Sequence, residues 1–197
     1  KFNLTFFEKL KKVQPSNYLV YEKNKIINKK YWNLKYKPNY KMSHNEIIEK
    51  FSTKFNLAIK KQLRSDVETA FYLSGGVDSN SICSVASKMT QGNFKTFSII
   101  DSDKRYNEKK RINLSNKKIK SKNYPLYLQN LKSENNLDKI KNIVAYHGKP
   151  VFTISSIIQN LLNENIKQKG IKVCIGGVGA DEILTGYYDH HLYYLKQ

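Results

Sequence analysis

The stretch Leu73-Ser74-Gly75-Gly76-Val77-Asp78-Ser79 joins two different hydrophobic periodicities. Before it, residues 69–73 are a short β-rich run that reads as a strand. After it, the pattern from Ser79 onward reads as a helix with Ile82, Val85, Ala86 and Met89 on one face. Adjacent glycines between a strand and a helix let backbone amides approach an anion closely. The helix adds the positive end of its dipole. Ser74 and Ser79 can donate hydroxyl hydrogen bonds to the same oxygens. Asp78 would repel a bare phosphate, so a carboxylate here implies Mg²⁺ bridging it to phosphate oxygens. The segment lacks the G-x-x-x-x-G-K-[ST] pattern of a Walker A loop.

Strand–helix alternation continues outward from this loop. Residues 94–100 read as a second strand, 107–122 as a polar helix and 124–128 as a third strand. Two helices follow at 137–146 and 154–169, then a fourth strand at 171–175 and a helix from Asp181 to about Leu195. Such alternation implies an α/β fold with a parallel sheet, flanking helices and right-handed crossovers. Upstream, the runs 18–21 and 26–32 flank a polar turn and read as a β-hairpin. Pro38 and its polar neighbours suggest a linker. Ser43 and Glu46 have the spacing of a capping box. Ile47, Ile48, Phe51, Phe55, Leu57, Ile59 and Leu63 then keep roughly helical spacing.

A second glycine-rich segment, Gly176-Gly177-Val178-Gly179-Ala180-Asp181-Glu182, again joins a strand to a helix. On a parallel sheet both loops lie at the carboxyl ends of strands, where ligands bind. Asp78 and Asp181 can then share one Mg²⁺. Taken alone, Asp181 and Glu182 would simply complement the helix dipole. Paired with the first loop, they read as part of a site.

Composition bounds the partners. The 197 residues carry 35 Lys+Arg against 16 Asp+Glu, a net charge of +19. Nucleic-acid surfaces favour arginine, which makes bidentate and stacking contacts. Here the arginines are Arg64, Arg105 and Arg111, and the remaining excess is lysine spread along the chain. A solvated lysine surface is therefore expected, and nucleic acid is not. No apolar run approaches the roughly 18–20 residues of a membrane span. Two cysteines, Cys83 and Cys174, are too few for a disulfide scaffold and fit a reducing, cytoplasmic setting. Both read as buried small hydrophobes rather than nucleophiles.

Ser74-Gly75-Gly76-Val77-Asp78-Ser79 resembles the pyrophosphate loop of the PP-loop ATP pyrophosphatase superfamily. Arg64-Ser65-Asp66-Val67 resembles the R-x-S-D-V-P lead-in of the asparagine synthetases, with Glu68 in place of the proline. The second segment, running on to Thr185-Gly186-Tyr187, is similar to their S-G-x-G-[SA]-D-E-[LV]-F-x-G-Y motif. The resemblance places Leu73 and Ile99 at adenosine. It puts Ser74, Gly75, Gly76 and Ser79 on pyrophosphate, and Gly176 and Gly177 on a second ATP-contacting pair. Asp78 and Asp181 become the magnesium ligands. It assigns no catalytic acid or base within the chain.

The implied activity is an ATP-dependent amide-forming ligase. It adenylates a carboxylate, by default aspartate, and aminates it with glutamine-derived ammonia. Gly176 stands where the family has serine, and Val178 where the asparagine synthetases proper have glutamate. Valine cannot act as acid, base or hydrogen-bond donor. That substitution opens a second reading, an amidotransferase acting on a sugar uronate. A PP-loop tRNA-modifying enzyme would account for the charge and the first loop, but not for the second motif. Residues 1–40, with Tyr31-Trp32, resemble the end of a glutaminase-type domain, and 41–197 an incomplete ATP-binding domain. The chain thus reads as an internal piece of a larger two-domain enzyme, with a homodimer as its candidate assembly.

Overall fold

The computed structural model describes residues 3–130, 136–151 and 153–196. Two strands, β1 (Asn17–Glu22) and β2 (Lys25–Lys30), form an antiparallel hairpin. The connecting Lys23 and Asn24 both have positive φ, 48° and 60°, as a two-residue hairpin turn requires. The expected hairpin is therefore present, and it forms a sheet of its own. Helix α1 (His44–Gln62) follows, capped by Ser43. The Glu46 amide donates to Ser43 Oγ at 3.3 Å, while the Ser43 amide donates to Glu46 Oε2 at 2.8 Å. Donation from the Ser43 amide and hydroxyl to Oε2 holds the Glu46 carboxyl below its usual range. Only the far half of α1 docks. Ile59 is buried and Phe55 and Leu63 pack on the core, whereas Ile47, Ile48 and Phe51 stay exposed.

The main unit alternates as expected. Strand β3 (Thr69–Tyr72) leads to α2 (Val77–Thr90), then β4 (Lys95–Ile100), α3 (Lys109–Ile119) and β5 (Lys122–Tyr127). Helices α4 (Asn136–His147) and α5 (Ile154–Gln168) precede β6 (Val173–Ile175), and α6 (Ala180–Leu184) and α7 (Tyr188–Leu195) close the chain. The four strands lie in the order β5-β4-β3-β6, and every pairing is parallel. Pro125 lies on β5, at the sheet edge, where a missing ladder donor is tolerated.

Helices cover both faces. On one side α1, α2 and α3 pack through Ile59, Cys83, Ala86, Ile112 and Ile119 onto Phe71, Leu73, Ile100 and Ile175. On the other, Leu162 and Ile166 of α5 pack with Ile171 on Ala70 and Phe97. Ala70 and Phe71 are both fully buried although neighbours on a strand point to opposite faces. That double burial is the mark of a parallel sheet between helix layers.

Two expectations are corrected. The single helix read from Asp181 to Leu195 is two helices, because Thr185 takes a left-handed conformation (φ 59°) and ends α6. Gly186 follows directly against the Asp181 side chain, leaving no room for a Cβ. The polar helix and third strand are also shifted. Lys120 ends α3 in a left-handed conformation, and β5 begins at Lys122 rather than at Tyr124.

Candidate functional site

Strand order determines where a cleft can open. The chain runs from β3 outward to β4 and β5, then returns to place β6 on the other side of β3. Between β3 and β6 the direction of winding reverses. In open parallel sheets that switch point, at the carboxyl ends, is where ligands bind. Both glycine loops are the segments that leave β3 and β6.

The first loop is held by its own side chains. The Ser74 amide donates to Ser79 Oγ at 3.1 Å, and the two hydroxyls are 2.9 Å apart. Ser79 is buried, so its hydroxyl has little recourse to water. The Gly76 amide donates to Ser74 Oγ at 3.1 Å. Asn80 Nδ2 donates to the carbonyls of Ser74 (3.0 Å) and Gly76 (2.6 Å). The Gly75 amide donates to Glu108 Oε2 at 3.0 Å. Helix α2 begins with Gly76 as its N-cap and with no side-chain capping bond. Its first turn, which includes Asp78, is thus left open to a ligand.

The second loop lies against the first. A Cβ on Gly177 would come within 3.0 Å of Asp78 Cβ and 3.3 Å of the Ser79 amide. A Cβ on Gly176 would come within 2.9 Å of the Tyr72 ring. At both positions glycine permits the close approach. Gly179 turns the chain into α6 at φ 99°. Val178 between them is fully exposed.

Together the loops border an open cleft of about 840 Å³. Of the residues singled out from the sequence, Leu73, Ser74, Asp78, Ser79, Ile99 and Gly177 line it. Gly75 and Gly76 continue the loop on its α2 and α3 side. Gly176 is one residue behind, against Tyr72. Asp181 sits in the first turn of α6, half-buried and outside the cleft lining. Sequence reasoning missed Asn80 and Glu108. Asn80 carried a local signal, a short amide in the first turn after the glycines. Glu108 carried none, since its contact spans 33 positions. Burial pushes the Cys83 and Cys174 thiols up to about 12, which agrees with their reading as packing residues.

Comparison with known proteins fits this geometry. The asparagine synthase family profile matches residues 50–197, a span that contains both loops. "Amidase chyE" of Penicillium rubens is 30% identical over 203 aligned residues, covering 93% of this chain and 30% of the relative. "Putative asparagine synthetase [glutamine-hydrolyzing] 2" of Methanocaldococcus jannaschii is 29% identical over 86% of this chain and 32% of its own length. "Asparagine synthetase [glutamine-hydrolyzing] 1" of Bacillus subtilis is 25% identical over 90% of this chain and 27% of its length. The chain therefore spans about a third or less of these relatives. A solved NH3-dependent NAD synthetase from Campylobacter jejuni aligns with a TM-score of 0.45 and 17% identity over 71% of this chain and 60% of its own, too distant to inform the site. With both glycine loops inside the matched span and on neighbouring strands of a parallel sheet, the chain belongs to the asparagine synthase family.

Proposed function

We propose that the cleft binds MgATP and that the intact protein is an ATP-dependent amide-forming ligase. The observation that carries this reading is the packing of Gly177 on Asp78, which unites the two loops at one cleft. Leu73 and Ile99 offer apolar surface for adenosine. Ser74, Gly75, Gly76 and Ser79 supply amides and hydroxyls for pyrophosphate, and Gly176 and Gly177 flank it from the second loop. The donor set suits Mg²⁺, a hard cation that takes one or two carboxylates and completes its shell with phosphate oxygens. Asp78 and Asp181 would hold it, and its contribution there is neutralisation of phosphate charge.

In this reading the acceptor carboxylate attacks the α phosphorus of ATP, and pyrophosphate leaves into the first loop. Ammonia then displaces AMP from the acyl-adenylate. The chain's own part is positioning and charge complementarity rather than proton transfer. Ammonia would come from glutamine through a glutaminase domain, whose last part residues 1–40 would represent. Residues 41–197 would then be the ATP-binding portion. Aspartate is the default acceptor. The exposed Val178 favours a second acceptor, a sugar uronate, because no carboxylate stands at that position beside the cleft. ATP–pyrophosphate exchange by the intact protein, with aspartate and a nucleotide-sugar uronate compared, tests both. Exchange with the uronate alone would end the asparagine reading, and exchange with neither would remove both acceptors.

A further inference from the structure

Glu108 is the N-cap residue of α3, yet its side chain makes no capping bond to that helix. Acidic N-cap side chains ordinarily accept from their own helix amides. This one instead crosses to the pyrophosphate loop and accepts from the Gly75 amide at 3.0 Å. The fit there is close. A Cβ on Gly75 would meet Glu108 Oε1 and the Cβ and Cδ of Arg111, each at 3.0 Å. Glu108 is half-buried and lines the same cleft as Ser74, Asp78 and Ser79. The amides on either side of Gly75 donate to neutral hydroxyls, Ser74 to Ser79 and Gly76 to Ser74. Gly75 alone of the three gives its amide to a carboxylate, a group that carries negative charge on its acceptor oxygens as a phosphate does.

Resting on the reading of this loop as the pyrophosphate site, we infer that Glu108 is an internal anion. It holds the Gly75 amide until a ligand binds and must give that amide up to a phosphate oxygen. A single N–H donates fully to one acceptor, and carboxylate and phosphate repel each other at that distance. Glu108 therefore braces the loop before a ligand binds and sets a charge threshold that favours the magnesium-loaded nucleotide over the free anion. The displaced carboxylate has cations in its own segment, since Lys104, Arg105, Lys109, Lys110 and Arg111 line the adjoining hollow. The cost to binding is the difference between a charge-assisted and a neutral hydrogen bond.

Calorimetric titration of the intact wild-type protein, Glu108→Gln and Glu108→Ala with magnesium pyrophosphate and with MgATP tests this. The glutamine keeps the shape and an acceptor but not the charge. Glu108→Gln should tighten pyrophosphate binding roughly three- to tenfold, with a small fall in the melting temperature of the ligand-free protein. Unchanged or weaker binding by Glu108→Gln would overturn the inference and make Glu108 a scaffold for the loop. Glu108→Ala separates the two roles, since it removes the acceptor as well. Looser binding there beside tighter binding by Glu108→Gln still supports the displaced anion. Binding by none of the three proteins would overturn the pyrophosphate-loop reading itself, and this inference with it.

Discussion

The two glycine loops occupy equivalent places, each leaving a parallel strand for a helix, yet they are built differently. The first is cross-braced by Ser74, Ser79, Asn80 and Glu108, which satisfy its amides and carbonyls from four side chains. The second has a long backbone contact, from the Ala180 amide to the Gly177 carbonyl at 3.3 Å, and an exposed valine at its crest. A braced loop suits a ligand portion that never varies, because its donors are fixed before binding. A loosely tied loop suits the side of the cleft facing a variable partner. On that view the first loop serves the phosphates, and the crest of the second, at Val178, borders the acceptor.

The largest effect should come from the residue where the loops touch. Asp78→Asn removes a charge from the cleft while keeping its shape. It should lower ATP–pyrophosphate exchange by about 100- to 1,000-fold at saturating magnesium, the range seen on losing one strong electrostatic contact. Retained exchange would detach Asp78 from the reaction. Ser79→Ala comes next. It leaves the Ser74 amide and hydroxyl without their buried partner and should destabilise the protein by about 1–3 kcal/mol in urea unfolding. A loss under half a kcal/mol would mean that the first loop is not braced as described.

Much of this was readable in the residues, and for stated reasons. Hydrophobic period separated strands from helices, and Ser43 with Glu46 marked the start of α1 because a capping box is a local device. Ser74, Asp78 and Ser79 pointed to one cleft because their spacing fixes them on one strand–helix turn. The placement of β6 beside β3 was not readable, since strand order rests on packing between elements far apart in the chain. The break at Thr185 was marked only by the following glycine, and the apolar pattern on either side hid it. Family resemblance supplied Asp181 as a partner of Asp78. The geometry adds that Gly177 of the second loop packs on Asp78, with Asp181 in the first turn of α6 and outside the cleft lining.

Two smaller substitutions sharpen the contrast from the side of the second loop. Gly177→Ala would place a Cβ 3.0 Å from that of Asp78, so one loop must shift. Overpacking of this kind costs about 1–3 kcal/mol, and exchange should fall by about tenfold as Asp78 moves. Unaltered exchange would show that the second loop yields freely. Val178→Ala should do least. Its side chain is fully exposed, so nothing of the fold depends on it, and stability should change by no more than about 0.5 kcal/mol. Exchange driven by the acceptor is the informative readout. A changed KM for the acceptor with an unchanged KM for ATP would place Val178 beside the acceptor and not the nucleotide. Equal shifts in both would erase the proposed division of labour, because a residue bordering only the variable partner cannot alter the binding of the invariant one.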